Sequence, residues 1–114
     1  MMSRHYAPRT KLLLTDGQED ALAEKAREIS KQKFGVLLPR GWKISAGATF
    51  DWGEWRDWAE LASRLYAALR WLDEQNLNVI IAPLPPQEGL GGAIRERLLK
   101  AAGRETDDSE LRTG

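Results

Sequence analysis

Three short runs without a polar residue, Leu12-Leu13-Leu14, Val36-Leu37-Leu38 and Val79-Ile80-Ile81-Ala82, constrain this chain more than any other feature. Successive side chains of a strand point to opposite faces, so a run that is apolar at every position needs cover on both sides. Helical stripes lie between the runs. Leu22, Ala26 and Ile29 recur at helical spacing, as do Trp58, Leu61, Ala62, Leu65, Leu69 and Leu72, and then Ile94 and Leu98. Strands buried on both faces and alternating with helices predict an α/β fold. The expected form is a small Rossmann-like three-layer α/β/α sandwich on a mostly parallel sheet of about four strands.

The expected bounds follow from local chemistry. Asp16-Gly-Gln-Glu19 has the form of a capping box opening the first helix, which should end near Gly35. Ala48-Thr-Phe-Asp51 reads as a short third strand, and the longest helix should run from about Glu54 to Glu74. The final helix is expected over Ala93 to Ala102, preceded by a proline- and glycine-rich loop from Pro83. The organisation predicted is an arm over 1–10, one domain over 11–102 and a flexible polar tail over 103–114. With 114 residues the chain is long enough for one such core.

Composition removes several function classes. The 17 basic and 17 acidic residues balance, giving no basic excess for nucleic acid or membrane surfaces. The absence of cysteine excludes disulfides and thiolate chemistry, and a single histidine excludes a histidine-rich metal site. No apolar run approaches the ~20 residues that span a bilayer, so the expected location is cytoplasmic.

Four features are candidates for function. The arm carries His5, Tyr6 and Pro8: a flat ring with a hydroxyl, a donor–acceptor imidazole, and a proline that extends the residue before it. Such a segment can close a neighbouring polar pocket, or it can be a terminal tail touching only its own domain. Gly89, Gly91 and Gly92 at a strand-to-helix junction offer backbone N–H groups to an anion, or else simply let helix and sheet pack closely. They match neither the dinucleotide fingerprint nor Walker A. Arg95, Arg97 and Lys100 then read as helix-surface charges. Trp42, Trp52, Trp55 and Trp58 crowd one stretch and offer a docking face for another domain or a second copy, with loop cover as the structural alternative. Asp51, Glu54, Asp57 and Glu60 at a helix start are favoured by the helix dipole, and no metal is expected there.

In the order His5-Tyr-Ala-Pro8, strand, Ala62-Ser-Arg-Leu-Tyr-Ala-Ala-Leu-Arg-Trp-Leu-Asp73, Val79-Ile-Ile-Ala82 and Gly89-Leu-Gly-Gly-Ala-Ile-Arg-Glu-Arg-Leu-Leu-Lys-Ala-Ala102, the chain resembles the carboxy-terminal domain of two-domain threonylcarbamoyl-AMP synthases. In that family a YrdC-like domain makes threonylcarbamoyl-adenylate from threonine, bicarbonate and ATP, for transfer RNA modification. The resemblance implies an accessory domain, non-catalytic by itself, whose arm His5, Tyr6 and Pro8 covers the catalytic site. It implies a YrdC-like catalytic domain as partner in cis or in trans, with ATP and magnesium bound there and no cofactor in this chain. Neither a membrane nor direct transfer RNA binding is expected, and the tryptophan-rich face offers itself either to the catalytic domain or to a second copy in a homodimer. The family's Lys-x-Arg and Ser-x-Asn elements belong to the catalytic domain. Lys25-Ala-Arg27 fits the first spelling, but it falls on the polar side of a helix, and no Ser-x-Asn occurs. The competing readings are an independent nucleotide- or small-molecule-binding module that uses the carboxyl ends of the strands and the Gly89 to Gly92 loop, and a protein-interaction module built around the tryptophan stretch.

Overall fold

The computed structural model describes residues 7–103. Seven elements follow one another: β1 (Lys11–Thr15), α1 (Glu19–Glu28), β2 (Phe34–Pro39), β3 (Ala48–Gly53), α2 (Trp58–Asp73), β4 (Val79–Pro83) and α3 (Gly89–Ala101). The strands form one sheet in the order β1-β4-β2-β3, and every neighbouring pair is parallel. Leu12 and Leu13 sit beside Ile80 and Ile81, while Gly35 and Val36 flank the same two isoleucines from the other side. This is the expected three-layer sandwich.

Alternation along the strands builds two cores. Leu12, Leu37, Ile80 and Ala82 face α2 and α3, whose Leu61, Leu65, Leu69, Leu72, Ile94 and Leu98 cover them. Val36, Val79 and Ile81 face the opposite way, against Leu22 and Ala26 of α1 and Ile29 just after it. Each fully buried isoleucine or leucine contributes about 1.5–3 kcal/mol. A parallel connection usually needs a helix. Between β2 and β3 residues 40–47 serve instead, a turn followed by irregular chain whose Trp42, Ile44 and Ala46 pack onto the core on the α1 side.

Local bounds differ from the sequence reading in four places, each for a visible reason. The first helix ends at Glu28 rather than near Gly35, and turns over 29–33 return the chain to β2. Gly35 lies inside β2, where a Cβ would stand 2.5 Å from Leu77 Cδ1 and 3.0 Å from Leu72 Cδ2. The capping box does not form: Gln18 is the N-cap without a side-chain bond, and Glu19 accepts the Lys43 N–H at 2.7 Å, tying the 40–47 segment to α1. The long helix starts at Trp58, because Asp57 accepts the Glu60 N–H at 3.2 Å and so caps it there. The last helix starts at Gly89, so the three glycines form its first turn rather than a preceding loop. Lys25 pairs with Glu28 at 2.9 Å, as a solvated helix face does.

The chain enters β1 through an anchored segment. The Asp73 carboxylate accepts the backbone N–H of Arg9 at 3.2 Å and of Thr10 at 2.9 Å, and the Thr10 hydroxyl at 2.7 Å. A carboxylate on the last turn of a helix is disfavoured by the macrodipole. Here it serves three donors from a remote part of the chain, which outweighs that cost.

Two stability predictions follow from these contacts. Gly35→Ala is expected to cost about 1–3 kcal/mol by overpacking, whereas Gly47→Ala, which meets nothing within 4 Å, should stay within about 0.5 kcal/mol. Urea midpoints of the two variants compare them directly. Asp73→Ala should cost about 1–2 kcal/mol, and hydrogen exchange should quicken at the Arg9 and Thr10 amides before any core amide. Equal quickening across the sheet would show that Asp73 supports the core rather than the entering segment.

Candidate functional site

Helix placement decides where this sheet can hold a site. After β1 the chain turns to α1 on one face; after β4, the adjacent strand, it turns to α3 on the other. The two exits diverge and leave a crevice at the carboxyl edge, the position where open parallel sheets bind ligands. A cavity of about 310 Å³ lies there, lined by Asp16, Gly17, Gln18, Trp55, Arg56, Trp58, Leu84, Pro86 and Arg95.

The exits themselves are held close. Leu84 N–H donates to Thr15 O at 2.9 Å, and a Cβ on Gly17 would lie 2.3 Å from Leu84 O and 3.0 Å from Trp55 Cζ2. Only glycine fits that position. Arg95 was expected on the helix surface, but it folds back, is half-buried and donates from Nη1 to Pro85 O at 3.0 Å. Arg56, which also lines the cavity, holds φ 86, in the left-handed region that favours glycine.

The wall beside Arg56 is aromatic. Ring centroids of Trp55 lie 5.2 Å from Trp42, 5.9 Å from Trp52 and 5.2 Å from Trp58. The cluster therefore wraps the carboxyl edge of the sheet. Trp52 is fully buried and donates from Nε1 to Leu61 O at 2.9 Å, which places it in the core and not on a docking face. Trp42 and Trp55 are half-buried.

The acidic group is occupied in building a corner. Glu60 accepts the Glu54 N–H at 3.0 Å and the Arg40 guanidinium at 3.1 Å. Those two donors hold its carboxyl below the usual carboxylate range. Asp51 lies 3.7 Å from Arg40, and Arg64 donates to the carbonyls of Asp51 and Trp52 at the end of β3. Among the described residues no group of three acidic or histidine side chains is arranged to hold a metal.

The remaining sequence candidates are spread over the fold. Pro8 is half-buried near the amino edge of the sheet, at the end opposite the cavity, and His5 and Tyr6 lie outside the described residues. Gly91 and Gly92 are buried, and a Cβ on Gly91 would stand 3.2 Å from Pro86 O and 3.5 Å from Trp58, so this turn packs tightly on the β4 exit. Gly89 holds φ 56 with nothing close. Sequence reading missed Asp16, Gly17, Arg56 and Arg95 as one constellation. Only Asp16 and Gly17 carried a local signal, as polar or small residues just after the first apolar run; Arg56 and Arg95 lie in other parts of the chain.

Relatives of known structure share this fold. The family described as threonylcarbamoyl-AMP synthase, C-terminal domain, matches residues 1–103. Threonylcarbamoyl-AMP synthase of Pyrococcus abyssi is 32% identical over 109 residues, covering 90% of this chain and 31% of that protein. The crystal structure of the Pyrococcus abyssi Sua5 protein complexed with L-threonine matches with a TM-score of 0.75 and 30% identity, over 87% of this chain and 30% of that one. A crystal structure of the C-terminal Sua5 domain from Pyrococcus horikoshii matches with a TM-score of 0.64 and 27% identity, over 80% of this chain and 91% of that one. The chain thus spans about a third of the length of the full synthase it matches. With that match running through every element from β1 to α3, the chain belongs to the family of threonylcarbamoyl-AMP synthase C-terminal domains.

Proposed function

We propose that this chain is the accessory domain of a threonylcarbamoyl-AMP synthase, and that it positions the arm carrying His5, Tyr6 and Pro8 over the site of a YrdC-like catalytic domain. The observation that carries the reading is the anchored entry to β1. Asp73 grips Arg9 and Thr10, so the segment before them starts from a fixed point at the amino edge of the sheet. A lid acts by excluding water and completing the reacting site, and it needs such a fixed base. The family match supports a catalytic partner: the matched relative is a threonylcarbamoyl-AMP synthase of which this chain covers 31%, and a related protein was crystallised with L-threonine. ATP with magnesium, threonine and bicarbonate are bound by the catalytic domain in this reading, and the chain itself holds no catalytic group. The protein acts in transfer RNA modification in the cytoplasm without touching transfer RNA directly. Half-buried Trp42 and Trp55 are the aromatic residues available at the carboxyl edge for docking or for self-association.

Two measurements test this reading. The purified chain should release no pyrophosphate from ATP in a threonine-dependent manner; turnover comparable to a complete two-domain enzyme would overturn the accessory role. In the complete protein, Tyr6→Ala should lower adenylate synthesis by about ten-fold or more while the melting temperature of this domain stays nearly constant. Unfolding of the domain with synthesis intact would make Tyr6 a structural residue and remove the lid.

A further inference from the structure

We infer that the crevice between the β1 and β4 exits is a binding site for a planar aromatic anion about the size of a nucleoside monophosphate. Its position is the first ground: it lies at the carboxyl edge, between adjacent strands whose helices go to opposite faces. Its chemistry is the second. Arg56 and Arg95 set two guanidiniums against the single carboxylate of Asp16, and Trp55 and Trp58 supply the aromatic wall. Guanidinium recognises phosphate or carboxylate through paired N–H bonds, and indole faces stack on planar rings. Asp16 and Gln18 remain to accept and donate to hydroxyl or ring nitrogen groups.

The cost of building the crevice is the third ground. An arginine at φ 86 carries backbone strain that a glycine would avoid, and the strain sits at the rim of the cavity. Gly17 brings the two exits together, and the bond from Arg95 Nη1 to Pro85 O orients that guanidinium before any ligand arrives. A volume of about 310 Å³ suits a small ligand, at the lower end of the usual range. The hollow beside α1, lined by Ala23, Phe34, Lys43 and Ile44, lacks the paired indoles and the converging strand exits.

The site does not rest on the synthase reading, and its test uses no synthase activity. AMP, adenosine and inorganic phosphate are titrated separately into the chain, followed by calorimetry and by the tryptophan indole N–H resonances. AMP should bind saturably and at least about ten-fold more tightly than adenosine or phosphate alone, with the Trp55 and Trp58 signals moving together. Arg56→Gly relieves the backbone strain, so it should keep or raise the melting temperature while weakening AMP about ten-fold. Arg95→Gln should weaken it similarly. The inference is overturned by any of three results: no saturation by about 10 mM AMP, a weak limit for any specific site; equal binding of AMP and adenosine; or binding that leaves the Trp55 and Trp58 signals unmoved.

Discussion

Everything in this domain depends on β4 being covered on both faces. Val79, Ile80, Ile81, Ala82 and Pro83 are all buried, and β4 is hydrogen-bonded to β1 on one side and β2 on the other. A strand in that position leaves its neighbours no freedom. One layer of helix must cover Val79 and Ile81, another must cover Ile80 and Ala82, and α1 on one side with α2 and α3 on the other provide both. The same requirement sends the chain to opposite faces after β1 and after β4. The crevice at the carboxyl edge is therefore a by-product of the packing that stabilises the core.

The two ends of the sheet carry different tasks. At the amino edge, Asp73 fixes the segment entering β1 through three hydrogen bonds. At the carboxyl edge, the exits close on Gly17 while tryptophans and arginines surround the space between them. The corner built by Arg40, Glu60 and Arg64 holds the end of β3 and the turn leading to Trp55. The acidic side chains Asp57 and Glu60 at the start of α2 are thus occupied in capping that helix and holding the turn after β3. In a synthase of two domains, this arrangement would let one end of the domain hold the arm while the other remains open to a ligand.

Periodicity in the sequence carried the class of fold because it reflects burial directly. Apolar runs such as Val79 to Ala82 have only one stable environment, a strand between two layers, and the stripe from Trp58 to Leu72 has only one inward face. The resemblance to threonylcarbamoyl-AMP synthases was legible for a related reason: separated motifs in fixed order survive where single motifs are ambiguous. Helix starts were less legible. Asp16 and Glu19 offered a capping box that the backbone did not use, because Glu19 was claimed by Lys43, a residue remote in sequence.

The sequence by itself determined that this chain forms a parallel α/β sandwich, that it lacks thiol and histidine-cluster chemistry, and that it resembles one family's carboxy-terminal domain. Those properties are local or compositional, so each residue carries its share of the signal. Only the tertiary structure decided the strand order, the burial of Trp52 and the gathering of Asp16, Arg56 and Arg95 around one cavity. Strand order depends on which crossover packs over which neighbour, and a cavity depends on chain segments far apart in sequence arriving at the same edge. A local pattern reports whether a side chain is buried; it does not report what lies on the other side of it.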